Sequence, residues 1–169
     1  MINRPQPDEY SAYVARYVDL VGNKPILKIL EQLQQSTYNL FTNLSADKAN
    51  YAYAEGKWTI KQVLGHMADS ERVFAYRAFA FSREAIELPG FDQDVYMEKT
   101  TFNSRSLEDI ANEFKTVRQS TLYLFRSLTE EQSTQKGIAS GNPVSVRALA
   151  YITAGHEMHH IKILEERYL

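Results

Sequence analysis

Apolar residues recur at steps of three and four along four long stretches of the chain. Ile26, Ile29, Leu30, Leu33, Thr37, Leu40, Phe41 and Leu44 trace one face of a helix over roughly 25–44, opened by Pro25. Ile60, Val63, Leu64, Met67, Phe74, Ala78 and Phe81 trace a second, to about Arg83, with Thr59 and Gln62 spaced as a capping box at its start. Leu107, Ile110, Phe114, Val117, Thr121, Leu124, Phe125 and Leu128 form a third behind Ser106, and Val146, Leu149, Thr153, His156, His160, Ile163 and Leu164 a fourth behind Ser145. No stretch alternates convincingly with the period of a strand. The pattern therefore predicts an all-α fold, an up-down-up-down four-helix bundle that occupies the whole of 1–169 as one domain.

The intervening segments read as connections. Residues 1–22 carry Pro5 and Pro7 and then a few turns' worth of helix, an N-terminal arm packed on the bundle. Residues 45–57 are ambiguous and end in a Gly56 break, and Thr129-Glu130-Glu131-Gln132 caps one further short helix. Residues 88–105 are too many for a tight turn, so this loop is expected to cross an end of the bundle. Residues 137–143, rich in Gly, Ser, Asn and Pro, read as a linker.

The chemistry lies within the fourth stripe. His156 and His160 are four apart, one turn of helix, and they belong to the inward face. Two buried imidazoles need partners, since an unsatisfied buried polar group costs about 1–3 kcal/mol, and one metal ion satisfies both. His66 lies on the second helix, on a face with Val63, Ser70, Val73 and Arg77. It is about 10 Å from its helix start against about 16 Å for His156, so in parallel second and fourth helices the three would meet. His159 points about 60° away from His156 around the axis, beside the ligand set rather than in it.

His156-Glu157-x-x-His160 also matches the motif of zinc peptidases, but only nine residues follow His160 and none is histidine. A di-iron carboxylate bundle needs two Glu-x-x-His pairs, and the residue three before His66 is Val63. A facial three-histidine site with open positions remains. Its neutral ligands leave the metal charge uncompensated, which acidifies a bound water. Imidazole suits zinc and nickel, and also iron and copper. Asp69, Glu71 and Glu157 are the nearby candidates for a general base, with a solvated helix face the simpler expectation for Glu157. Phe91, Asp92, Asp94, Tyr96 and Arg77 are candidates to line a pocket mouth, with the long loop closing over the metal's open side.

Composition narrows the partners. A formal charge of −2 and no basic cluster argue against nucleic acid. The chain has no cysteine, which excludes disulfides, thiolate ligands and a cysteine nucleophile. No apolar run is long enough to span a membrane and no secretory signal is visible, so a cytoplasmic protein acting on a small molecule is expected.

Three segments carry a resemblance that covers nearly the whole chain. Trp58-Thr-Ile-Lys-Gln-Val-Leu-Gly-His66-Met-Ala-Asp-Ser-Glu71, Leu88-Pro-Gly-Phe-Asp-Gln-Asp-Val-Tyr96 and Val146-Arg-Ala-Leu-Ala-Tyr-Ile-Thr-Ala-Gly-His156-Glu-Met-His-His160 resemble the DinB-like (YfiT-like) superfamily. The resemblance implies a four-helix bundle, commonly a homodimer, with metal ligands at His66, His156 and His160. It also implies either a metal-dependent hydrolase or an S-transferase or isomerase that uses an external low-molecular-weight thiol. A non-catalytic metal-binding or stress-response protein is the contrasting expectation.

Overall fold

The computed structural model describes residues 2–169. The main helices begin where the sequence supplies caps. After the arm helix α1 (Ala12–Val21) come α2 (Ile26–Thr42), a single turn α3 (Ala46–Ala49) and α4 (Ile60–Phe81). The strand β1 (Glu87–Leu88) and the short α5 (Gln93–Glu98) precede α6 (Leu107–Ser127) and α7 (Glu130–Thr134). The strands β2 (Lys136–Ala139) and β3 (Asn142–Ser145) then lead into α8 (Val146–Arg167). Thr59 Oγ1 accepts the Gln62 N–H at 3.2 Å, and Gln62 Oε1 accepts the Thr59 N–H at 2.9 Å, the expected capping box. Ser106 and Ser145 cap α6 and α8 in the same manner, through the N–H groups of Asp109 and Ala148.

Helices α2, α4, α6 and α8 form the four-helix bundle, and α1 lies along α8. Their order of direction differs from the expected alternation. Tyr168, just past α8, donates to the carbonyl of Trp58, just before α4, so these two helices are antiparallel. Thr59 meets Asn103 at one level and Arg72 meets Glu113 further on, so α4 and α6 run the same way. Lys24 contacts Tyr151 near the starts of α2 and α8, which are parallel. The bundle is thus up-down-down-up. The physical reason is the segment 82–106: it does not cross an end of the bundle but returns along its side. β1 pairs with β2 near the end of α4, and Phe102 packs against Gly65 near its beginning.

The core is divided by level. One apolar cluster holds Leu30, Phe81, Phe125 and Leu149, and the other Phe41, Leu64, Phe114 and Leu164. Each of the four long helices contributes to both, and between the two contributions each places buried polar residues: Thr37, Ser70 and Glu71, Arg118 and Thr121, His156 and Glu157. A polar layer therefore crosses the middle of the bundle.

Residues 137–143, expected as a linker, fold into a hairpin. β1, β2 and β3 make one small sheet in that order, with β1–β2 parallel and β2–β3 antiparallel, and Ile138 opposite Pro143. The turn is Ser140-Gly141, with φ of 54° and 73°. Two successive positive φ values match the twist of a two-residue hairpin. Among the described residues, no helix is long and apolar enough to cross a membrane.

Candidate metal centre

His66 projects from α4, and His156 and His160 from α8, into the polar layer. The Nε2 atoms of His66 and His156 are 3.1 Å apart, and those of His156 and His160 3.2 Å. One ring nitrogen from each of the three lies within 4.8 Å of the others. Nitrogen ligands held at about 2.0–2.1 Å from one ion sit about 3–3.4 Å from each other. The geometry of this donor set therefore fits a single ion bound on one face. The depth match expected for parallel helices is met instead by antiparallel ones: His66, near the start of α4, faces the middle of α8.

Burial keeps these imidazoles neutral. It lowers His66 to about 4 and, with repulsion from the other histidines, His160 to about 3; His156 is driven well below its ordinary range by the same two causes. Neutral rings offer the lone pairs a metal needs. Aromatic side chains fix their orientation. The Trp58 ring is 4.7 Å from His66, and Tyr17 and Phe74 meet His156 edge-on at 5.5 Å each. The arm can bring Tyr17 this close because of Gly155, where an added Cβ would lie 2.0 Å from the Tyr17 carbonyl oxygen. His159 packs 5.6 Å from Tyr17 and 5.3 Å from His160, at the side of the cluster and outside it.

A cavity of about 680 Å³ reaches His156 and Ser70. Arg77, Phe91 and Asp92, three of the candidates from the sequence, line it. Tyr96 and Asp94 do not: Tyr96 turns outward, half exposed, with its ring 5.5 Å from Phe91, and Asp94 lies in the first turn of α5, where its N–H is capped by Asp92. Tyr17, Phe74 and the hairpin residues 139–140 and 142–144 also form the wall, none of them singled out from the sequence. Phe74 carried a signal, since it follows Ser70 by one turn on the face of His66.

The three candidate carboxylates are not gathered at the histidines. Asp69 pairs with Arg72 at 3.0 Å on the outer side of α4. Glu71 accepts both Nε and Nη2 of Arg118, at 2.8 and 2.7 Å. Glu157 is buried, not solvated, because α1, α2 and α4 surround α8 on almost every side. Its Oε2 is 2.7 Å from Arg118 Nη2, without the directed geometry of a hydrogen bond. Burial raises its pKa, against the opposing pull of Arg118 and Thr37. Arg118, fully buried, was missed although it stands on the stripe between Phe114 and Leu122. It ties α4, α6 and α8 together, and through the Leu30 carbonyl α2 as well.

Comparison with known proteins agrees with this architecture. Two proteins of Oceanobacillus iheyensis, each provisionally named a metal-dependent hydrolase, are similar to the chain. One is 28% identical over 137 residues, 78% of this chain and 79% of the relative; the other is 25% identical over 135 residues, 78% and 77%. Among solved structures, YfiT from Bacillus subtilis, described as a probable metal-dependent hydrolase with an unusual four-helix bundle topology, superposes with a TM-score of 0.76 at 18% identity, covering 83% of this chain and 82% of that one. A mycothiol-dependent maleylpyruvate isomerase superposes with a TM-score of 0.66 at 11% identity, over 82% of this chain and 60% of its own. The profile of the DinB superfamily matches residues 29–164, and the chain belongs to that superfamily.

Proposed function

We propose that the protein is a metalloenzyme acting on a small molecule, with His66, His156 and His160 holding a divalent ion, zinc or nickel before iron or copper. The observation that carries this reading is the convergence of three neutral ring nitrogens, those of buried His66 and His156 and half-buried His160, beside an open cavity. Such an ion supplies Lewis acidity and lowers the pKa of a ligand that reaches it. The chain's own residues do the rest. Burial keeps the histidines unprotonated at neutral pH, and Trp58, Tyr17 and Phe74 hold the rings in place. Phe91 and Asp92 on the returning segment, with the 139–144 hairpin, bound the space in which a substrate would sit. A store or sensor of metal needs no such cavity, which favours catalysis over the non-catalytic reading.

Hydrolysis is the first reading of the reaction, supported by the names of the relatives. Transfer to an external low-molecular-weight thiol is the second, supported by the likeness to the mycothiol-dependent isomerase and by a cavity large enough for two small ligands. No carboxylate joins the three histidines in the group, so neither Asp69, Glu71 nor Glu157 is proposed as the base. A cytoplasmic homodimer that binds neither nucleic acid nor membrane completes the proposal.

Elemental analysis of protein purified without a polyhistidine tag tests the site. Near-stoichiometric metal in the native chain and its loss in His66→Ala and His160→Ala are expected; full retention in both variants refutes it. Ester hydrolysis and thiol conjugation, each assayed with and without chelator, then separate the two reactions.

A further inference from the structure

Arg77 differs from the other arginines that are drawn furthest from solvent, buried Arg118 and half-buried Arg147. Arg118 and Arg147 are each paired with carboxylates, Glu71 and Glu157 for the first and Glu9 for the second. The arginines outside ion pairs among the described residues are Arg16, Arg77, Arg83 and Arg167, and all but Arg77 are exposed. Arg77 is only 7% exposed, and the little it shows lies in the wall of the cavity that reaches His156. Burial lowers its pKa, and no carboxylate offsets that cost.

Its neighbours orient it without neutralising it. Nη2 donates to the Pro89 carbonyl at 2.9 Å and to Ser140 Oγ at 3.2 Å, and the guanidinium lies 5.9 Å from the Phe91 ring centroid. Both oxygens are uncharged. One comes from Ser140, the only non-glycine residue with positive φ among those described, in a turn position that glycine or asparagine fills more readily. Gly90 allows that close approach, since a Cβ there would meet Ser140 Oγ at 3.2 Å. The acid that shares the wall, Asp92, is within ion-pairing distance of no arginine, and its Oδ1 is engaged by the N–H groups of Asp94 and Val95. Nε and Nη1 of Arg77 thus have no protein acceptor. They lie on different edges of the guanidinium, and each is free to donate a charge-assisted hydrogen bond to an anion oxygen.

We propose that Arg77 anchors the oxyanion head group, carboxylate or phosphoryl, of a small organic anion that occupies the cavity. The inference rests on the cavity being the substrate site and adds the class of its ligand. Arg77 follows His66 by eleven residues on α4, with Ser70 and Phe74 between them on the same side, a rise of about 16 Å along the helix. An anion held at Arg77 would lay the remainder of the molecule along Phe74 toward the histidines.

The test uses metal-free protein in chelator, so that no anion binds through an ion. Calorimetric titration with benzoate, phenyl phosphate and neutral benzamide compares the native chain with Arg77→Lys and Arg77→Met. At least tenfold tighter binding of an anion than of benzamide is expected in the native chain, reduced in Arg77→Lys and abolished in Arg77→Met. Whichever of the two anions is preferred identifies the head group. Equal affinity for anion and amide in the native chain overturns the proposal, as does an undiminished preference in Arg77→Met. If Arg77→Met fails to fold, Arg77→Lys decides by whether the preference falls. Because the titration is metal-free, its failure is separate from a failure of the histidine site, which elemental analysis reads.

Discussion

Replacing Arg118 by methionine removes a cation that is 0% exposed and leaves Glu71 at 2% and Glu157 at 1% with no positive charge beside them. The guanidinium makes three close approaches to these two carboxylates, at 2.7–2.8 Å, and donates to the Leu30 carbonyl at 3.2 Å. Breaking one side of a buried ion pair costs about 3–5 kcal/mol, mainly through the uncompensated charge that remains. Total stability for a domain is about 5–15 kcal/mol, so a large share of it is at stake. For a chain of this size each kcal/mol moves the thermal midpoint by about 2–4 °C, and the fall should be roughly 6–20 °C.

Urea unfolding followed by far-UV circular dichroism, on metal-free protein, measures this directly. A companion separates charge from shape. The triple variant Arg118→Met, Glu71→Leu, Glu157→Leu removes all three charges while keeping side-chain volume in the layer. If the cost of the single variant is an orphaned charge, the triple variant regains most of it, returning to within about 2 kcal/mol of the native chain or exceeding it. A single variant that loses less than about 1 kcal/mol, or a triple variant less stable than the single one, refutes this account of the layer.

Three further outcomes follow from the same structure. Gly155→Ala forces a methyl against the Tyr17 carbonyl; it should destabilise by about 1–3 kcal/mol in urea unfolding and loosen metal retention by moving α1 off His156. Glu9 is opposed by burial, but hydrogen bonds from Arg147, Ser145 and the Gln6 N–H outweigh it and hold its pKa near 2, below the ordinary 4.5. A depressed carboxyl stabilises above its unfolded value and loses that stability as pH falls through its folded one, so the difference between the native chain and Glu9→Gln should be constant above pH 5 and shrink between about 4.5 and 2. Zinc at a hundred times its dissociation constant should add about 2.7 kcal/mol, raising the thermal midpoint by roughly 5–11 °C in the native chain and leaving His156→Ala unmoved.

The histidine site was legible because it breaks a rule locally: His156 and His160 stand one turn apart where the stripe calls for apolar residues, and His66 adds a third inward imidazole. The same rule picks out Arg118, four residues after Phe114 and four before Leu122, yet a single inward charge names no partner until Glu71 and Glu157 are brought to it. Glu157 was misplaced for a related reason. A helix normally keeps a wet face, and α8 is buried from Val146 to Glu157 at nearly every position because the arm covers the side the bundle leaves open. Arg77 was legible as a pocket residue, but its lack of a counter-charge appears only once Pro89 and Ser140 close around it.

Helix direction was harder, since an amphipathic stripe reads the same from either end. The information lay in the connections. Short helix–helix loops make antiparallel neighbours, whereas a helix that restarts in the same direction needs chain enough to return along its partner. α4 is 22 residues long, a rise of about 33 Å, and the segment 82–106 is of comparable length in residues. Even with β1, α5 and a turn of 3-10 helix built into it, that segment reaches from one end of α4 to the other. In sequence, a loop long enough to span the bundle looks the same as one that merely crosses its end. Its return path is also what carries Phe91 and Asp92 past Arg77, so the connection that sets the topology furnishes one wall of the cavity.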